Sequence, residues 1–161
     1  MRKARVGDCI LVALAIAGAA IYTACFREGP ETRRVLEIRD AASGRIYARR
    51  VLEEPEEFAI EFIHSVHQSP VQERFTVEGT TIRPKSVRFY SFGAGMASDL
   101  EEGQTMSREG DALVISGFRV SYHELNYIVG TVSDHVLIIK DEHISLRELC
   151  GRNAHISILI K

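Results

Sequence analysis

The residues best equipped for chemistry stand in EFIHSVHQSPVQERF, Glu61 to Phe75. His64, Ser65 and His67 precede Pro70, and Glu73 follows among apolar neighbours. An imidazole beside a carboxylate has three common uses: a general base with its orienting partner, a polar site for a ligand, or a self-satisfied pair that fixes a fold. Zinc would need three or four ligands. The alternating pattern and Pro70 exclude a helix here, and residues three apart on a strand point to opposite faces, so His64 and His67 do not converge on one ion. Ser65 and His64 diverge as strand neighbours, which is no triad signature. No catalytic set, metal site or cofactor is expected. The candidate polar site is His64 with Glu73, with His135 and Ser65 as additions.

Those side chains depend on strands. In FAIEFIHS, alternation puts Phe58, Ile60, Phe62 and His64 on one face; in VQERFTVE it groups Val71, Glu73, Phe75 and Val77. A hairpin must bring the two apolar faces to the same side, because a slip of one residue inverts a strand. The register predicted this way opposes Phe62 to Phe75 and Ile60 to Val77. It sets His64 across from Glu73, with Cβ atoms about 5 Å apart.

Other motifs carry weaker chemistry. SFGAGM contributes a candidate loop, Gly93, Ala94, Gly95 and Met96. It lacks the third glycine and the following helix of a dinucleotide fingerprint. It fits a tight turn or a loop offering N–H groups to an anion or partner. His135 heads the apolar run of VSDHVLIIK, the pattern of a strand buried on both faces. His123, His143 and His155 read as surface or turn residues, and Asp99 to Asp111 as a polar connector. Cys150 reads as a small packed hydrophobe.

From Val35 onward the period is two, with turn signals every eight to twelve residues. This predicts a mainly β fold, an antiparallel β-sandwich or partly open barrel. Ser145 and Glu148 have capping-box spacing and Gly151 can end the segment, which predicts one short helix. Ahead of the strands, Cys9 to Phe26 is an uncharged stretch behind Arg2, Lys3 and Arg5. A helix of that length spans roughly 27 Å, close to the ~30 Å of the hydrocarbon core. The expected organisation is an N-terminal transmembrane anchor over 1–26, a tether over 27–34 and an extracytoplasmic β domain over 35–161. The basic start favours an inside N-terminus and a single pass through the cytoplasmic membrane. A cleaved signal or a lipoprotein box at Tyr22 to Cys25 are the alternatives.

Composition narrows the partners. The 161 residues carry 20 Lys+Arg against 22 Asp+Glu, with no tryptophan. That balance offers no basic footprint, so nucleic acid is not an expected partner.

The order of motifs resembles the prokaryotic family called domain of unknown function 1850. There a His-Ser stretch leads to Pro-x-x-Glu-x-aromatic, then to a Gly-Ala-Gly-Met loop and a later His-x-Leu strand. Here these match His64, Ser65, Pro70, Glu73, Phe75, Gly93, Ala94, Gly95, Met96, His135 and Leu137, and the resemblance runs from Val35 to Lys161. Val71 stands where some members carry Trp. Members are often encoded beside TRAP transporters of the TAXI type. The resemblance therefore implies a membrane-anchored accessory or interaction module whose partner is the transporter membrane subunit or its solute receptor. The alternatives are a ligand- or metal-binding β domain built on His64 and Glu73, and a hydrolase using that pair as base and orienter.

Overall fold

A computed structural model of the chain describes residues 33–65, 68–90 and 100–161, and Arg33–Lys161 forms one compact unit. Alternating sequence becomes β1 (Val35–Asp40), β2 (Ile46–Val51), β3 (Glu57–Ile63), β4 (Pro70–Glu78) and β5 (Thr81–Phe89). The chain continues through β6 (Thr105–Glu109), β7 (Ala112–Ser116), β8 (Glu124–Ile128), β9 (His135–Ile139) and β10 (Glu142–Ser145). A short helix, α1 (Leu146–Cys150), then leads into β11 (His155–Ile160).

These strands form two antiparallel sheets, one in the order β2-β1-β11-β8 and one in the order β10-β9-β3-β4-β5-β7-β6. Leu36 and Ile38 of β1 and Ile156, Ile158 and Ile160 of β11 share one apolar cluster with Phe58, Ile60, Phe75, Val77 and Leu137 of the larger sheet. Fully burying each such side chain contributes about 1.5–3 kcal/mol. The other face of the small sheet is polar: Glu37 takes Arg49 at 2.9 Å, Arg39 reaches Glu124 at 2.9 Å, and Ser157 donates to Asn126 at 2.7 Å. Glu37, Ser157 and Leu159 of that face are buried as well, so its polar groups are satisfied by these pairs.

The turns follow local chemistry. Between β1 and β2 the Asp40 carboxylate accepts from the Ala42 and Ser43 amides, and Gly44 supplies a φ of 72°. Hydrogen bonds from the Ser43 amide and hydroxyl hold the Asp40 carboxyl below its usual range. At α1 the expected cap forms: Ser145 Oγ accepts from the Glu148 amide at 3.0 Å, and the Gly151 amide donates to the Arg147 carbonyl. Cys150 is half-buried against the core, and burial pushes its thiol up to about 11.

Several elements differ from expectation. The β5 strand extends over Thr81–Phe89, across Pro84, because a register shift beside Arg74 and Phe75 absorbs the residue that cannot donate. The polar connector contains β6, an edge strand that pairs through β7 alone. His135 does head a strand, but β9 buries only Leu137 and Ile139, with Val136 and Ile138 half-buried. Among the described residues no helix is long and apolar enough to cross a membrane. The expected anchor over 1–26, most of the tether, His67 and the Gly93–Met96 loop lie outside the described residues.

Candidate functional site

The β3–β4 hairpin forms, with a register that differs from the expected one. Ile60 opposes Glu73, Phe62 opposes Val71 and Phe58 opposes Phe75. In this register Glu73 does not stand across from His64. The His64 amide donates to the Ser69 carbonyl at 2.9 Å, and the Gln68 amide donates back to the His64 carbonyl at 2.9 Å. The cause is a tighter turn, closed at His64 and Ser69 with Gln68 at a φ of 50°. The Gln68 amide side chain braces the turn by donating to the Ser65 carbonyl at 2.5 Å. Parity is preserved, so the face assignments hold, but Glu73 lies four residues from His64 along the hairpin, about 13 Å. The expected His64–Glu73 pair is therefore corrected, and a base–orienter use of those two residues falls with it.

His135 stands instead on β9 beside the end of β3 that leads to His64. It opposes Phe62 across β9 and β3, and the rings stack with centroids 5.0 Å apart. Two rows now cross the large sheet: His135, Phe62, Val71, Phe89 and Leu113 in one, and Leu137, Ile60, Glu73, Val87 and Ile115 in the next. Glu73 is the polar member of its row. Its partner comes from the other sheet: the Tyr127 hydroxyl donates to Glu73 Oε2 at 2.6 Å, and the Tyr127 ring lies 6.0 Å from that of His135. Burial raises the Glu73 carboxyl and the Tyr127 hydroxyl above their ordinary values, and the tyrosine's hydrogen bond opposes the rise at Glu73.

The segment between β8 and β9 fixes His135. The Gly130 amide donates to His135 Nδ1 at 3.2 Å, which leaves Nε2–H as the donor of the neutral ring. Burial lowers the His135 pKa against the opposing charge of Asp134, so the neutral form prevails at neutral pH. Only glycine fits at position 130, where a Cβ would meet the Ser133 carbonyl oxygen at 2.1 Å. Ser133 Oγ accepts from the Ile63 amide at 3.0 Å, tying this segment to the end of β3. Asp134 accepts from Ser145 Oγ at 2.5 Å and from the Arg147 amide at 3.0 Å, tying it to α1.

Together the hairpin end and this segment enclose a cleft of about 610 Å³, lined by His64, Ser65 and Gln68 on one side and Gly130, Thr131 and His135 on the other. Phe62, Ile63 and Val132 make its apolar wall. Three of the four expected polar residues, His64, Ser65 and His135, thus share one cleft. Glu73 belongs to a neighbouring row. Tyr127, Gly130 and Ser133 complete the arrangement; the composition of Gly130 to Asp134 carries a turn signal that could have pointed to Gly130 and Ser133, and none points to Tyr127. Among the described residues no group of three His, Cys, Asp or Glu side chains is placed to hold a metal.

Comparison with known proteins adds one finding. The model of the family described as domain of unknown function (DUF1850) matches residues 58–146, more than half of the chain. The chain belongs to this family. The DUF1850 span runs from β3 to the start of α1, so it contains the cleft, Glu73 and Tyr127, whereas β1, β2 and β11 lie outside it. No curated protein and no solved structure matches the chain.

Proposed function

We propose that this DUF1850 chain is a binding module whose ligand occupies the cleft between the β3–β4 hairpin end and the β8–β9 segment. The observation that carries the reading is the meeting of the neighbours His64 and Ser65 with the distant His135 around one cavity of about 610 Å³, within the roughly 300–1,000 Å³ of small-molecule sites. Among the described residues the lining contains no carboxylate and no Lys or Arg. It offers hydroxyls, an amide and the His135 Nε2–H beside an apolar wall. Such a lining suits a small molecule with an acceptor group, for which a carboxylate is the simplest choice, and an apolar body. Titration of the full-length chain in neutral detergent with benzoate tests this. Saturable binding weakened several-fold by His135→Ala or Ser65→Ala is expected; binding indifferent to both substitutions would sink the reading.

The shared apolar core of the two sheets supports a sandwich as the finer description of the fold. A second reading concerns where the module works. The uncharged Cys9–Phe26 segment behind three basic residues supports a single-pass anchor with the β domain outside the cytoplasmic membrane. The family resemblance extends this to an accessory of a TRAP transporter of the TAXI type. The two readings are compatible, since an anchored accessory can bind a solute. Co-purification from mildly solubilised membranes tests the second, and a preparation free of transporter subunit and receptor would count against it.

A further inference from the structure

A second cavity, of about 450 Å³, opens where β8, the edge of the small sheet, meets β4 and β5 of the large one. Among the described residues it shares no lining residue with the His135 cleft. Four aromatic side chains line it, Phe75, Phe118, Tyr122 and Tyr127, and Glu73 places a carboxylate among them. Among the described residues, two other charged ones line the cavity and are already engaged: Arg74 lies 3.6 Å from Glu57, and Glu124 takes Arg39 at 2.9 Å. None of the ion pairs among the described residues includes Glu73.

An ionised carboxylate has about four acceptor positions. Tyr127 fills one on Glu73. A half-buried anion with so little compensation is costly unless a cation or further donors arrive. The surrounding rings favour a cation too, because aromatic faces carry negative potential and attract ammonium groups about as strongly as a modest hydrogen bond. A bare metal ion is a poor match, since of the two carboxylates in the described lining Glu124 is held by Arg39, which leaves Glu73 with too few oxygen ligands beside it.

We propose that this cavity binds an organic ammonium ion, its N–H groups donating to the Glu73 carboxylate and its apolar body lying against the aromatic side chains. The ligand class is a primary or secondary amine attached to an aryl or branched alkyl group. This site is separate from the one under Proposed function, and the failure of either leaves the other standing.

Calorimetric titration of the full-length chain in neutral detergent with benzylammonium chloride tests it, with benzyl alcohol as the uncharged analogue. The expected result is saturable binding of benzylammonium, much weaker binding of the alcohol, and a loss of about tenfold or more in Glu73→Gln, equivalent to about 1.4 kcal/mol. Glutamine still offers Tyr127 an acceptor, so an unchanged thermal midpoint shows that this variant is folded. Glu124→Gln, which removes the carboxylate already paired with Arg39, should change affinity by less than about twofold. The proposal is overturned if benzylammonium does not bind saturably, if the alcohol binds equally well, or if affinity follows Glu124 and not Glu73.

Discussion

Tyr127→Phe removes one oxygen and leaves the ring in place, so it isolates the link between the two sheets. In the wild type that oxygen donates to Glu73 Oε2 at 2.6 Å. Hydrogen bonds to charged acceptors contribute about 1.5–3 kcal/mol, and those between neutral groups about 0.5–1.5. Glu73 is half-buried, so the lower end applies and the expected loss at neutral pH is about 1.5 kcal/mol. For a chain of this size that lowers the thermal midpoint by about 5 °C. The same substitution in a Glu73→Leu background should behave differently. There the carboxylate is gone, the hydroxyl has lost its acceptor, and Tyr127→Phe should be neutral or stabilising. Denaturant unfolding of the four proteins measures the coupling, expected at about 1–2 kcal/mol. Equal losses in both backgrounds would refute the claim that the pair joins the sheets.

Three further outcomes follow. Gly130→Ala should destabilise the chain by about 2 kcal/mol or more in thermal unfolding, because the added Cβ meets the Ser133 carbonyl at 2.1 Å and packed backbone cannot retreat cheaply. Asp134→Ala removes the acceptor for Ser145 Oγ and the Arg147 amide, and should cost about 1–2 kcal/mol in denaturant unfolding, as loss of a helix cap does. Stability should respond to pH with opposite signs at Glu73 and His135. Burial raises the Glu73 carboxyl above 4.5, so its contribution is fully present at lower pH and is lost as pH rises through the raised value, and Glu73→Gln gains on the wild type over that range. Burial lowers His135 below 6.5, so its contribution is present above that pH and is lost as pH falls toward the lowered value. His135→Gln should therefore lose less in mild acid than the wild type, as denaturant midpoints across the acid range would show.

The faces of the strands were legible because alternation is local: Phe58, Ile60, Val71, Phe75 and Val77 are buried as their parity requires. The register was not. A four-residue shift keeps every parity, so the pattern alone could not distinguish Glu73 opposite His64 from Glu73 opposite Ile60; the turn closed by Ser69 decided it. The first half of β5 was hidden by Pro84, and β6 by its polar composition, which an edge strand tolerates because only one side of it is paired. His64, Ser65 and His135 stood out as polar residues on strands, but their meeting depends on β9 lying beside β3, a long-range pairing that no local pattern encodes. Tyr127 gave no signal at all, since a tyrosine on a strand is ordinary until the opposite sheet places a carboxylate beneath it.

The most direct test of the binding cleft is the histidine side-chain NMR spectrum of the full-length chain, recorded while benzoate is added. The wild type should start with His135 neutral and protonated at Nε2, since Gly130 donates to Nδ1. The signals of His135 and His64 should then move together along one saturable curve, while those of the exposed His143 and His155 stay still. Movement of the exposed rings alone, or a His135 resonance that ignores the ligand, would contradict a site built from His64, Ser65 and His135.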